Sequence, residues 1–130
     1  MLRFCALFVL ICLPSLTLAD FSGRVVVIDG DTIDVGDVRV RIHGIDAPES
    51  DQKCTTEQDQ SWACGAWVGE QVRARLQGKR ATCKRVEIDK YGRVVATCKV
   101  KGEDVGRALV SDGLAFANRK YSMAYDLDEK

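Results

Sequence analysis

The sequence predicts a mainly β domain of the α+β class: a closed five-stranded β-barrel of the OB type, with helices covering one end and a C-terminal helix cut short. Three observations carry this expectation. β-branched residues fall into strand-length runs separated by Gly-containing turns, a run with helical apolar spacing follows the third strand, and a second hairpin follows that helix. The order of three strands, helix, two strands and helix suits a small barrel whose sheet closes on itself.

The elements follow in order. Gly23 to Ile28 is a β-branched run broken by Asp29-Gly30-Asp31. Thr32, Ile33 and Val35 precede a Gly36-Asp37 turn, after which Val38-Arg39-Val40-Arg41-Ile42 alternates as a half-buried strand should. Ala47-Pro48 ends this meander, because proline cannot donate to a strand ladder. Residues 50–61 are polar and aperiodic and read as a loop. From Ala63 to Leu76, Val68, Val72 and Leu76 lie on one helical line with Ala63 and Trp67 beside it, and Gly78 is the stop signal. Ala81 to Glu87 and Arg93 to Val100 form the second hairpin about the turn from Asp89 to Gly92. Asp104 is positioned to cap a short helix carrying Val105, Ala108 and Leu109, closed by Gly113.

Residues 1–19 read as a signal peptide rather than fold. Arg3 supplies a positive start, Phe4 to Leu13 an apolar stretch, and Thr17-Leu18-Ala19 a small-residue cleavage site before Asp20. The apolar stretch is short for a membrane span, so residues 20–130 are expected to be one secreted or periplasmic domain. The same reading expects a monomer with no stable membrane anchor once the signal is removed. Cleavage removes Arg3 and no acidic residue, leaving 18 basic and 19 acidic side chains and a formal charge of −1. That balance argues against general adhesion to nucleic acid, but not against one local cationic site.

Cleavage also reduces six cysteines to four: Cys54, Cys64, Cys83 and Cys98. Export permits disulfides. Cys83 and Cys98 are equidistant from Lys90-Tyr91, so a hairpin turning there brings them together, while Cys54 and Cys64 bracket a polar segment they would staple. A zinc site of four thiolates is the alternative, and its usual paired short spacings are absent.

Three stretches carry the chemistry: Asp29-Gly30-Asp31-Thr32, Arg41 to Glu49 (Arg-Ile-His-Gly-Ile-Asp-Ala-Pro-Glu), and Asp89-Lys90-Tyr91-Gly92-Arg93. They offer carboxylates, two arginines and tight turns, the equipment for cleaving a phosphodiester with a hard metal ion. Cleavage concentrates negative charge on the phosphoryl oxygens, which a metal and guanidinium forks absorb. No His-rich or Cys-rich cluster points to a softer metal.

In this order and at these spacings, from about Arg24 to Ala117, the motifs make the chain resemble the staphylococcal-nuclease-like (thermonuclease) family of secreted, calcium-dependent nucleases. The resemblance implies Asp31 and Asp46 as calcium carboxylates with the Ala47 carbonyl as a third oxygen ligand, and Asp29 as a supporting acid. It implies Glu49 as the group that orients or deprotonates the attacking water, and Arg41 and Arg93 as the phosphate-gripping guanidiniums. Lys90 and Tyr91 would touch the nucleotide's terminal phosphate. The implied substrate is DNA, RNA or both. Without the resemblance, the aspartates serve turns, Glu49 is a solvated loop residue, and Lys90 and Tyr91 are ordinary turn chemistry. His43, the single histidine, reads as structural or peripheral. Trp62 and Trp67 could stack bases, although Trp67 at helical spacing reads as core.

Two features depart from the family pattern. Phe116-Ala117-Asn118-Arg119-Lys120-Tyr121 stands where the family carries a tyrosine-rich, base-stacking stretch, and the chain stops at Lys130, within the expected final helix. A non-catalytic OB module that binds nucleic acid is the rival reading; binding alone does not require Glu49.

Overall fold

A computed structural model describes residues 20–118. The expected signal peptide and final helix lie outside the described residues. Phe21–Val27 (β1), Thr32–Val35 (β2) and Val38–Ile42 (β3) form the predicted meander. Arg80–Ile88 (β7) and Val94–Val100 (β8) form the second hairpin. Between them lie the short strands Ile45–Asp46 (β4), Cys54–Thr55 (β5) and Ser61–Trp62 (β6) and the helix Cys64–Leu76 (α1). Glu103–Asp104 (β9), Val105–Ser111 (α2) and Phe116–Ala117 (β10) complete the described chain.

The long strands lie in the order β3-β2-β1-β7-β8, with β9 beyond β8. The sheet closes because β3 also pairs with β8, in parallel, placing Val40 opposite Val94, Arg41 opposite Val95 and Ile42 opposite Ala96. Every other pairing is antiparallel. Closure gives each barrel strand a covered inner face, so alternate residues go inside: Val25 and Val27 from β1, Ile33 and Val35 from β2, and Val40 and Ile42 from β3 are all buried. Val68, Val72 and Leu76 of α1 join the same core. As predicted, Asp104 caps α2, its carboxylate accepting the Arg107 N–H at 3.0 Å, and Gly113 takes the left-handed conformation just past the helix.

Two local expectations are corrected. Residues 50–61 do not run as plain loop: β5 and β6 pair, with Cys54 opposite Trp62. Trp67 is not core. It is 45% exposed and meets Trp62 edge-on, with ring centroids 6.0 Å apart, on the outer face of α1. Helical spacing placed it only beside the buried line of Val68, Val72 and Leu76, and that offset carries the indole past the edge of the core.

Both expected disulfides are present, Cys54–Cys64 and Cys83–Cys98. They occupy all four cysteines beyond residue 19, which excludes the zinc alternative. Cys83 and Cys98 are directly opposite each other in the β7–β8 register, with Cα atoms 4.0 Å apart, and both are buried. Replacing this pair with alanines should cost about 3 kcal/mol, the loop-closure entropy for a loop of roughly this length. Denaturant titration checks it, and an unchanged midpoint would contradict a stabilising role for the staple.

Candidate active site

The site is built where two turns meet the end of β3. In the β1–β2 turn, Asp29 Oδ1 accepts the Gly30 N–H at 2.7 Å, and Ile28 and Asp29 both donate their N–H groups to the Thr32 carbonyl. Gly30 is needed because a Cβ there would lie 2.7 Å from the Ala47 Cβ, so only glycine lets this turn close on the Ala47 segment. The turn delivers Asp31 as one of two buried polar or charged residues among those described, the other being Thr32. Its burial is compensated: Oδ1 accepts the Thr32 hydroxyl and Oδ2 accepts the Ala47 N–H, each at 3.1 Å.

Arg41 sits on β3 between the buried Val40 and Ile42, and alternation turns it to the other face. Its Nη1 donates to the Ile42 and Ile45 carbonyls at 2.9 and 2.8 Å. Its Nη2 lies 3.4 Å from Asp31 Oδ2 and 3.6 Å from Asp46 Oδ1. The guanidinium thus draws the two aspartates together, although Asp46 itself remains largely exposed. Glu49 lies beside them. Its carboxyl is pushed above the usual carboxylate range, first by the charge of Asp29, then by partial burial and the charge of Asp31, with a further contribution from a hydrogen bond with Asp29. Asp29 and Asp31 therefore both disfavour the charge of Glu49.

The second turn lies between β7 and β8. Asp89 Oδ1 accepts the N–H groups of Tyr91 and Arg93, both at 2.9 Å, and Oδ2 accepts Arg93 Nε at 2.7 Å. Burial opposes the charge of Asp89. The Arg93 and Tyr91 donors outweigh it and hold the carboxyl below the usual carboxylate range. Tyr91 is 72% exposed, with the Lys90 ammonium 5.2 Å and the Arg93 guanidinium 5.3 Å from its ring centroid. Arg41, Lys90, Tyr91 and Arg93 line one cavity of about 440 Å³, together with His43, Glu87 and Asn118 among others.

The structure therefore divides the expected residues into two neighbouring groups. Asp29, Asp31 and Glu49 form an acidic cluster, with Ala47 bonded to Asp31 and Asp46 joined to Asp31 through Arg41. Lys90, Tyr91 and Arg93 line the cavity together with Glu87 and Asp89, so its wall carries charges of both signs. Arg41 belongs to both, being paired with Asp31 and Asp46 and lining the cavity. Glu49 is not among the cavity-lining residues. Among the described residues no three His, Cys, Asp or Glu side chains form a ready-made metal cage. Asp31 and Asp46 supply hard oxygen donors of the kind a cation that keeps several waters accepts, and a positive charge there would offset the repulsion that Asp29 and Asp31 exert on Glu49.

Asp89 was not among the expected site residues, yet it holds Arg93 in place. The signal was an Asp opening a four-residue turn that ends at Gly92, where an aspartate accepts the N–H groups that follow it. His43 and Asn118 also reach the cavity, with the Asn118 N–H bonded to the Gly44 carbonyl at 2.8 Å. For His43 this is the peripheral placement that its position two residues past Arg41 allowed, whereas Asn118 carries no sequence signal that sets it apart from an ordinary loop residue.

A family profile described as "Staphylococcal nuclease homologue" matches residues 39–130, more than half of the chain. The chain belongs to that family. The match begins at Arg39, so it includes Arg41, Asp46, Glu49 and Arg93, while Asp31 is tied to the site by its contacts with Arg41 and Ala47. The succinoglycan biosynthesis protein ExoI of Rhizobium meliloti (strain 1021) is 40% identical over 95 residues, covering 72% of this chain and 50% of that protein. An uncharacterized endonuclease of Escherichia coli is 34% identical over 110 residues, covering 80% of this chain and 65% of that protein. Micrococcal nuclease of Shigella flexneri is 33% identical over 126 residues, covering 83% and 64%. The chain thus spans between half and about two thirds of these relatives' lengths. No helix among the described residues of this staphylococcal nuclease homologue is long and apolar enough to cross a membrane.

Proposed function

We propose that this chain is a calcium-dependent nuclease that hydrolyses phosphodiester bonds of DNA, RNA or both, and that it acts outside the cytoplasm after removal of residues 1–19. The observation that carries the reading is Arg41, one guanidinium that pairs with Asp31 and Asp46 and also lines the cavity where Lys90 and Arg93 stand. A site that only bound nucleic acid would gain nothing from the acidic side, because carboxylates repel phosphate.

Asp31 and Asp46, with the Ala47 carbonyl, are the groups that would hold calcium; when bound, the ion supplies positive charge to phosphoryl oxygens and orients water. Arg93, its Nε held by Asp89, presents its two Nη groups to the phosphate oxygens. Arg41, whose Nη groups are engaged by Ile42, Ile45, Asp31 and Asp46, offers its Nε–H and its charge. Both stay charged at any working pH. Arg93 is pre-aimed by Asp89, so little of its freedom is lost on binding. Glu49 takes the proton of the attacking water. Lys90 and Tyr91 sit where a terminal phosphate would meet the cavity wall. The endonuclease and micrococcal nuclease names of two relatives point the same way, as do the two disulfides for an oxidising compartment.

The test is the purified 20–130 chain on single-stranded DNA and RNA, with calcium and then with excess chelator. Cleavage that needs calcium and vanishes on chelation is expected. Full activity in chelator would rule out this mechanism, and binding without cleavage under any condition would favour the non-catalytic OB module.

A further inference from the structure

We propose that the disulfide-stapled start of α1 is the positioning device for Glu49, with Gly65 as its contact residue; this rests on the reading of Glu49 as the general base. The Glu49 side chain is exposed, and the backbone therefore does much of the work of placing it. That backbone is held at both ends by Gln52. The Gln52 N–H donates to the Glu49 carbonyl at 2.9 Å, and the Glu49 N–H donates to Gln52 Oε1 at 3.2 Å. Gln52 is in turn held by the helix, its carbonyl accepting the Gly65 N–H at 3.1 Å.

That last bond also serves the helix. The first N–H groups of any helix lack partners within it, and the cap residue here, Ala63, provides no side-chain acceptor. The loop carbonyl fills the role, so helix and loop complete one another. The approach is close enough that a Cβ on Gly65 would lie 1.7 Å from the Glu49 carbonyl oxygen and 2.8 Å from its carbon. Both are backbone atoms, so any larger residue must displace the Glu49 segment rather than a flexible side-chain end. The neighbouring Cys64 is joined to Cys54, just beyond Gln52, and closes this arrangement covalently. The two disulfides thus divide their work: Cys83–Cys98 staples the barrel wall, while Cys54–Cys64 fixes the loop that presents Glu49.

Three variants of the 20–130 chain test this: Gly65→Ala, Cys54→Ser with Cys64→Ser, and Cys83→Ala with Cys98→Ala as the contrast. Cleavage of a single-stranded oligonucleotide with calcium, thermal melts, and amide exchange at Gln52 and Gly65 are measured on each. The first two should lose about 10–100-fold in kcat, the scale expected when a reacting group is misplaced by an ångström or less, with KM unchanged and faster exchange at both amides. The barrel variant should melt lower but keep kcat at temperatures where it is folded. Should Gly65→Ala not fold, the Cys54/Cys64 variant carries the test alone. Wild-type kcat in that variant, unchanged exchange at Gln52 and Gly65, or a kcat loss that follows melting temperature across both disulfide variants would overturn the proposal. A wild-type chain with no hydrolytic activity would instead defeat the general-base reading, while the exchange rates would still report whether α1 holds the loop.

Discussion

Glu49→Gln is expected to slow phosphodiester hydrolysis by about 10²–10⁴-fold, the range for losing a positioned general base. The substitution keeps size and hydrogen-bonding reach and removes only the proton-accepting charge. Stability should move little, and in the opposite direction. Glu49 is held above its usual carboxylate range in the folded chain, chiefly by Asp29. A carboxyl whose folded value is raised favours the native state when protonated and weakens it when ionised. The metal-free chain therefore loses this contribution as pH rises from the ordinary carboxylate range through the raised folded value. Glutamine removes the repulsion, so at neutral pH with chelator present the variant should melt at or slightly above the wild type. Single-turnover cleavage and melts with and without calcium check both halves. An unaltered rate would return Glu49 to the standing of a solvated loop residue, and a large drop in melting temperature would mean that its carboxylate is structural.

The barrel strands were legible because each solves a local problem: alternation at Val38 to Ile42, a turn at Gly36-Asp37, a hairpin centred between two equidistant cysteines. The parallel β3–β8 contact that closes the barrel joins residues more than fifty positions apart, and no local pattern encodes it. The same distinction runs through the site. Asp31, Arg41 and Asp46 stand in motifs, and the fold places them within ion-pair distance. Asp89 was visible as a turn residue but not as the partner of Arg93, since a turn aspartate has the same sequence signature whether or not its second oxygen is engaged. Gly65 carries no signal of its own in the sequence. What makes it special is the Glu49 carbonyl arriving from another segment, a contact that exists only after folding. Trp67 shows the converse: its helical spacing was right, and the depth of the core beneath it decided its exposure.

Arg41→Lys should be the most damaging of the conservative substitutions, in rate and in stability, and Arg93→Lys separates the two effects. Arg41 makes four contacts with one rigid fork: Nη1 with the Ile42 and Ile45 carbonyls, Nη2 with Asp31 and Asp46. An ammonium on a shorter, flexible stem is a point charge and cannot serve both ends at once. If it satisfies the two carbonyls, it deserts Asp31, a carboxylate only 10% exposed at its side chain. If it stays with Asp31, two carbonyls lose their donor. The first choice leaves Asp31 its Thr32 and Ala47 donors but no counter-charge, the second leaves two carbonyls short of a donor, and either costs about 1–3 kcal/mol. The rate should fall by about 10²–10³-fold, as when one preorganised donor to a developing oxyanion is removed. Arg93 is more exposed, and its backbone N–H still bonds Asp89 after substitution, so Arg93→Lys should keep most of its stability. It should still lose a comparable factor in rate, because lysine cannot reproduce the Nε bond to Asp89 while presenting a fork to phosphate. The expected pattern is a similar rate loss in both variants and a melting-temperature loss only for Arg41→Lys. Wild-type rates in either variant would remove that arginine from the phosphate site, and equal melting-temperature losses would place both in a structural role.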